Sequence, residues 1–68
     1  MAKIYKKLGE NIERIRRRRK MTEGDISCKL TIDRSYMSAI ESGKKNITLG
    51  VLEKFAGGFD VSVDELLK

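Results

Sequence analysis

The segment "TEGDISCKLTIDRSYMSAIESG", residues 22–43, decides the fold. Thr22 is a residue type that caps the N-terminus of a helix, and acidic residues follow it where negative charge suits the helix dipole. Asp33 begins a second helix in the same way, and Gly43 ends it. The segment therefore predicts two short helices that are separated by a connection of about three residues, "TID".

A longer helix precedes this pair. Leu8, Ile12 and Ile15 recur at steps of four and three residues, with charged residues between them. This spacing predicts an amphipathic helix from about Ile4 to Arg19. Its apolar stripe belongs to the core, which argues against a basic helix that lies on a membrane.

Two more helices follow the pair. Thr48 has the character of an N-cap, and the apolar residues after it predict a fourth helix that ends at Gly57-Gly58. Ser62-Val63-Asp64-Glu65 has the form of a capping box and begins a fifth helix. No stretch alternates long enough to predict a strand, so the predicted fold is all-α with five short helices.

Composition limits the chain to one domain, residues 1–68, with an uneven charge. Residues 1–20 carry nine basic and two acidic side chains, a net of +7, whereas residues 21–68 carry six basic and eight acidic ones, a net of −2. That asymmetry suits a polyanion on one side. Cys28 is the only cysteine and histidine is absent, so we expect no disulfide and no metal. A second copy of the chain is the remaining source of stability, and we expect a homodimer.

The same residues weigh against other classes of protein. No apolar run is long enough to span a membrane and no secretion signal begins the chain, so we expect a cytoplasmic protein. An enzyme is the weakest hypothesis, because the chain has no histidine, no nucleophile–base pair and no phosphate-binding glycine loop. No cofactor is expected.

Two short helices across a tight connection form a helix-turn-helix, and here the chain resembles the Xre/Cro–CI family of lambda-repressor-like domains. The resemblance runs from about Leu8 to Leu67 and rests on "LGENIERIR", "MTEGDIS", "RSYMSAIESGKKN" and "VLEKFAGGFDVSVDELL". Within that family "DRSYMSAIESGKKNIT" looks most like the controller proteins of restriction–modification systems. The resemblance implies a homodimeric transcription regulator, such as a repressor, that reads a palindromic operator in double-stranded DNA through its third helix.

The resemblance also implies which residues meet the bases. They are Arg34, Ser35, Tyr36 and Ser38. An arginine fork fits O6 and N7 of guanine, and serine hydroxyls serve bases or phosphates. For Tyr36 the alternative is a ring that covers the core, although Met37 and Ile40 already occupy the inward positions.

A second group is expected to contact the DNA backbone. Its members are Arg17, Thr22, Glu23, Lys44, Lys45 and Asn46. Such contacts fix register without reading sequence. Arg17 belongs to the run "RRRRK", whose members point in different directions on a helix, so a structural or diffuse role is its alternative. Glu23 stands where the family usually has glutamine, and we expect its carboxylate to weaken DNA binding.

Further expectations concern structure rather than DNA. The family pattern implies a partly buried ion pair between Arg16 and Glu41. Thr31 occupies the usual glycine of the turn, where positive φ would strain a β-branched residue. The apolar surface of the fifth helix exceeds what a small core needs and predicts a dimer interface. Its expected residues are Phe59, Val63, Leu66 and Leu67.

One rival function remains open. A protein–protein module on the same fold, such as an antitoxin or adaptor, would bind a partner through its helices and bind DNA weakly or not at all. Such a module would not need Arg34 and Ser38 on one helix face with Lys44 and Lys45 beside them. The capture of a stable protein partner, together with no binding to any duplex, would favour it.

Overall fold

The computed structural model of the protein describes residues 2–68. Its five helices are α1 (Ala2–Arg18), α2 (Glu23–Leu30), α3 (Arg34–Glu41), α4 (Leu49–Phe59) and α5 (Val63–Leu67). No strand occurs in residues 2–68. The prediction of an all-α chain with five helices and a helix-turn-helix at α2–α3 is confirmed. Helix α1 begins two residues earlier than predicted, at Ala2, and ends one residue earlier, at Arg18.

One apolar core joins all five helices. Its buried members are Leu8, Ile12, Ile15, Ile26, Met37, Ile40, Leu52, Phe55, Ala56, Phe59 and Leu66. The rings of Phe55 and Phe59 lie with their centroids 5.9 Å apart, inside the range of favourable aromatic pairs. Burial of these side chains supplies most of the driving force for folding. Within residues 2–68 no helix is both long enough and apolar enough to cross a bilayer.

Three helices begin with predicted residues whose side chains make a cap bond. At α4 the hydroxyl of Thr48 accepts a hydrogen bond of 3.3 Å from Val51 N. At α2 the hydroxyl of Thr22 accepts a hydrogen bond of 3.0 Å from Asp25 N, and Asp25 Oδ2 accepts one of 2.9 Å from Thr22 N, which completes a capping box. At α5 only half of the predicted box forms. Ser62 Oγ accepts from Glu65 N at 3.3 Å, while the Glu65 carboxylate pairs with Lys68 Nζ at 3.1 Å.

The first four helices end in one backbone pattern. A residue with positive φ follows each helix, and the next residue donates its N–H to the carbonyl five positions back, as in a Schellman motif. The positive-φ residues are Lys20 (60°), Thr31 (56°), Gly43 (78°) and Asp60 (59°). Only the one after α3 is glycine, so three of these four turns place a side chain in a conformation that glycine accepts more readily.

The predicted end of α4 at Gly57-Gly58 is wrong. The helix continues to Phe59 and ends at Asp60. A Cβ on Gly58 would lie 2.7 Å from Cδ2 of Leu30, so this glycine lets α4 pack closely against α2 instead of breaking the helix. The burial of Phe59 in the core favours the longer helix.

Candidate nucleic-acid interface

A buried ion pair fixes the helix-turn-helix on α1. Arg16 Nε donates to Glu41 Oε2 at 2.6 Å, and Arg16 Nη2 donates to Glu41 Oε1 at 3.2 Å. The third nitrogen, Nη1, donates to the carbonyl of Met21 at 2.8 Å. One guanidinium therefore ties α1 to the end of α3 and to the turn that precedes α2. The ion pair that the family resemblance implies is present.

The electrostatics of this pair involve a third charge. The hydrogen bond to Glu41 raises the pKa of Arg16 above its ordinary value. Burial raises the pKa of Glu41, the hydrogen bonds from Arg16 lower it, and the nearby carboxylate of Glu23 raises it further. Glu23 is half-buried at the start of α2, and its carboxylate is near enough to act on the charges of both Arg16 and Glu41.

Helix α3 presents Arg34, Ser35 and Ser38 to solvent. Its buried residues Met37 and Ile40 hold the opposite side in the core. Asp33 stands at the N-cap position, but its carboxylate makes no cap bond. Oδ2 of Asp33 instead accepts a hydrogen bond of 2.9 Å from Ser35 Oγ, which leaves the lone pairs of that hydroxyl as its remaining hydrogen-bonding capacity.

Tyr36 occupies an intermediate position. It is half-buried and packs against the core cluster, in agreement with the alternative that its ring covers the core. Part of the residue remains accessible beside Arg34 and Ser35. A contact between its phenol and DNA therefore stays a prediction.

The loop between α3 and α4 brings further polar groups to the surface. Lys44, Lys45 and Asn46 are exposed, and no ion pair of residues 2–68 involves either lysine. Their ammonium groups are free to meet an anion. The loop follows the C-terminus of α3, where the Arg16–Glu41 pair fixes the backbone.

Two residues that are predicted to contact phosphates, Thr22 and Arg17, already interact with other groups of the chain. The hydroxyl of Thr22 is exposed but already accepts the cap bond at α2. Arg17 is exposed and pairs with Glu13 one turn earlier on α1, at 2.8 Å between Nη2 and Oε2. Such exposed pairs are weak, so Arg17 can exchange Glu13 for another anion at little cost.

The turn between α2 and α3 contains Thr31 in place of the family's usual glycine. Thr31 adopts left-handed φ and ψ of 56° and 47°, so the condition for strain is met. On α2, Ser27 is buried, and its hydroxyl donates to the carbonyl of Glu23 at 2.7 Å within the same helix.

The prediction of a dimer interface is wrong for two of its four residues. Phe59 and Leu66 are 1% and 0% exposed, because both side chains belong to the core of the chain itself. They offer no side-chain area to a second subunit. Val63 is half-buried and Leu67 is 53% exposed, so these two remain available. Ile4, which is 64% exposed on α1, is another apolar residue available to a partner.

The sequence did not reveal how α5 is held. Asn11 is fully buried and its Nδ2 donates to the carbonyl of Leu66 at 2.9 Å, which joins α1 to α5. A polar residue between Leu8 and Ile12 on the apolar side of α1 was the available signal. It could indicate a buried bond but not its partner, which lies 55 positions along the chain.

The chain is similar to known proteins over most of its length. The family model of the helix-turn-helix domain matches residues 9–68. The chain is 30% identical over 67 residues to the control protein C.MunI of a Mycoplasma species, which covers 97% of this chain and 90% of that protein. The crystal structure of the restriction–modification controller protein C.AhdI from Aeromonas hydrophila matches with a TM-score of 0.88 and 26% identity, over 91% of this chain and 94% of the other.

A third relative carries DNA. The controller protein C.Esp1396I, solved as a tetramer in complex with its natural 35 base-pair operator, matches with a TM-score of 0.80 and 33% identity, over 96% of each chain. The match between the family model and residues 9–68 includes all of α2, the turn and α3. The chain therefore belongs to the helix-turn-helix domain family, in which its relatives include restriction–modification controller proteins.

Proposed function

We propose that this chain is a sequence-specific, DNA-binding transcription regulator that acts as a homodimer, with residues 1–68 as a single DNA-binding domain. The genes that we propose it controls are those of a restriction–modification system, because C.MunI and C.AhdI are control proteins. The proposed location is the cytoplasm, because the proposed partner is double-stranded DNA.

One arrangement carries the proposal. Helix α3 exposes Arg34 and Ser38, and the adjoining loop adds Lys44 and Lys45, which form no ion pair within residues 2–68. The buried pair of Arg16 and Glu41 fixes the C-terminal end of that helix against α1. A rigid helix with free donors beside free cations fits the major groove of B-DNA, which admits one α-helix between two phosphate backbones.

The exposed residues of α3 suit base recognition. The planar fork of Arg34 can donate two hydrogen bonds to O6 and N7 of one guanine. Ser38 can serve as donor or acceptor at a neighbouring base. Ser35 already donates to Asp33, so its oxygen is better suited to accept a bond, for example from the amino group of cytosine or adenine. Tyr36 would extend from the core edge toward the groove.

The backbone contacts have a different role. Lys44, Lys45 and Asn46 would bind phosphates on one side of the groove, and Thr22 and Arg17 would bind them on the other. These contacts place α3 in register but do not select a sequence. Since phosphate binding releases counterions, the affinity is expected to fall steeply as the salt concentration rises.

The proposed dimer depends on apolar residues that the core leaves uncovered. Leu67 on α5 and Ile4 on α1 are more than half exposed, and Val63 is half-buried. A two-fold axis through this surface would present two copies of α3 to half-sites about one helical turn apart, roughly 34–36 Å. The pairing of two copies on DNA accords with the tetramer that C.Esp1396I forms on its operator.

The relatives favour this function over the protein–protein alternative, since a close structural match is bound to an operator. A direct test is fluorescence anisotropy with a mixed-sequence 35 base-pair duplex across a salt series, together with sedimentation of the free protein. Salt-dependent binding by a dimer supports the proposal. A folded monomer that binds no duplex at low salt contradicts it and leaves the protein–protein module as the better explanation.

A further inference from the structure

The first two turns of α1 carry an unusual set of charges. Lys3, Lys6 and Lys7 are all exposed there, and the first turn contains no acidic residue. The N-terminus of a helix is the positive end of its dipole, so anionic side chains are the ones that stabilise it. Lys3 in the first turn opposes the dipole, and Lys6 and Lys7 lie in the second turn, where the dipole no longer favours either charge. Local helix stability therefore does not explain them, and a departure from a local rule points to a role outside the helix.

One of these lysines lies against the loop that follows α3. A Cβ on Gly43, which has a φ of 78°, would lie 2.6 Å from Cα and 3.0 Å from Cβ of Lys6. The backbone of the loop and the second turn of α1 are therefore in direct contact. Lys44 and Lys45 follow Gly43 immediately, so this part of α1 lies against the segment that continues into two further cations.

The charges of Lys6, Lys44 and Lys45 are not neutralised by an ion pair within the part of the chain that the structure describes. Its ion pairs are Arg16–Glu41, Arg17–Glu13 and Lys68–Glu65, and none of them includes Lys6, Lys44 or Lys45. Glu10, one turn further along α1, makes no side-chain hydrogen bond with Lys6. Exposed cations on adjoining segments of one surface attract a polyanion such as the DNA backbone.

We propose that Lys6 is a further DNA-backbone contact, which extends the phosphate-binding surface of Lys44 and Lys45 from the loop onto α1. This inference rests on the proposed DNA-binding function. The partner is the sugar–phosphate backbone of the duplex whose major groove receives α3. Continuity with Lys44 and Lys45 is what selects this partner, because a phosphate strand that passes the loop also passes the second turn of α1.

The test compares Lys6→Gln with Lys54→Gln on a mixed-sequence 35 base-pair duplex. Lys54 is exposed on α4, so both variants lose one positive charge, but only one loses it beside the loop. The slope of log K against log salt should become shallower by about 0.9 per subunit in Lys6→Gln and change much less in Lys54→Gln. Lys6→Arg should keep the slope of the unmodified chain.

A second measurement separates a DNA contact from a structural role. Because Lys6 is exposed and forms no ion pair within residues 2–68, the melting temperature of Lys6→Gln should be close to that of the unmodified chain. Equal salt slopes for Lys6→Gln and Lys54→Gln, or a lower melting temperature with unchanged DNA affinity, would overturn the inference while the proposed function stands. If the unmodified chain binds no duplex, both fail.

Discussion

The guanidinium of Arg16 joins Glu41 through two hydrogen bonds, of 2.6 and 3.2 Å, with both side chains at most 10% exposed. The same group holds the carbonyl of Met21 at 2.8 Å. The start of α2 and the end of α3 are thus attached to one side chain of α1. The angle at which α3 is presented to a partner depends on this attachment.

Breaking that pair should be costly. In Glu41→Ala the charge of Arg16 is left in a nearly buried site without its partner, and we expect the free energy of unfolding to fall by about 3 kcal/mol. Urea denaturation measures it. The matched control is Glu13→Ala, which breaks the exposed pair with Arg17 and should cost less than about 1 kcal/mol. Similar losses in the two variants would contradict the structural importance of the buried pair.

Glycine in place of Thr31 should make the turn between α2 and α3 more stable. Thr31→Gly removes a β-branched side chain from left-handed φ, and we expect a gain of about 1 kcal/mol, or roughly 4–8 °C in the melting temperature. Thermal denaturation followed by circular dichroism measures this. Ser42→Gly is the control, because Ser42 ends α3 with an ordinary φ of −83° and should gain nothing. A fall in the melting temperature of Thr31→Gly would show that this turn is not strained.

The capping box of α2 should make stability depend on pH. The hydrogen bond from the backbone of Thr22 lowers the pKa of Asp25 below its ordinary value of 3.8. The folded state thus prefers the carboxylate, so the contribution of Asp25 is present above pH 3.8 and is lost as the pH falls through the lower folded pKa. Compared with Asp25→Asn, the unmodified chain should be more stable at neutral pH, and the difference should shrink in acid. A difference that is independent of pH would contradict the box.

Much of this fold could be predicted because the local signals are consistent. The caps at Thr22 and Ser62 and the apolar spacing of α1 each indicate one structure, and the helices form there. The end of α4 could not be predicted, since Gly58 is a helix breaker by propensity but permits a close approach to Leu30 in the tertiary structure.

The candidate site also has features that the sequence predicts and features that it does not. The exposure of Arg34 and Lys45 could be predicted because charged residues on a helix face and in a loop are seldom buried. The burial of Phe59 and Leu66 could not be separated from dimer formation, because apolar spacing indicates a buried side chain without naming the surface that buries it. The contact between Lys6 and Gly43 joins residues far apart in sequence, and only the crossing of α1 over the loop reveals it.

Glu23 should restrain DNA binding. Glu23 occupies the position where the family resemblance implies a phosphate contact, and its carboxylate raises the pKa of Glu41. Glu23→Gln removes this repulsion and keeps the size of the side chain, so we expect binding to tighten by about 1 kcal/mol, or roughly fivefold. Anisotropy on the 35 base-pair duplex measures it. Glu53→Gln is the control, because it makes the same change of charge at an exposed position on α4. Equal or weaker binding by Glu23→Gln would contradict the prediction.

Base and backbone contacts should respond differently to mutation. Arg34→Ala should cost roughly 1–3 kcal/mol on the preferred site and relax the preference at one base pair. Lys45→Ala should weaken binding to preferred and mixed sequences by the same factor and make the salt slope shallower by about 1 per subunit. Titrations of both variants against both duplexes separate the two effects. A sequence-selective loss in Lys45→Ala would show that the two kinds of contact are assigned wrongly.

The most direct test of the central claim is selection from a pool of randomised duplexes by the purified chain at near-physiological salt. We predict enrichment of an inverted repeat whose half-sites lie about one helical turn apart, since two copies of α3 related by a two-fold axis would read them together. The folded chain failing to enrich any sequence would contradict the claim that α3 reads DNA.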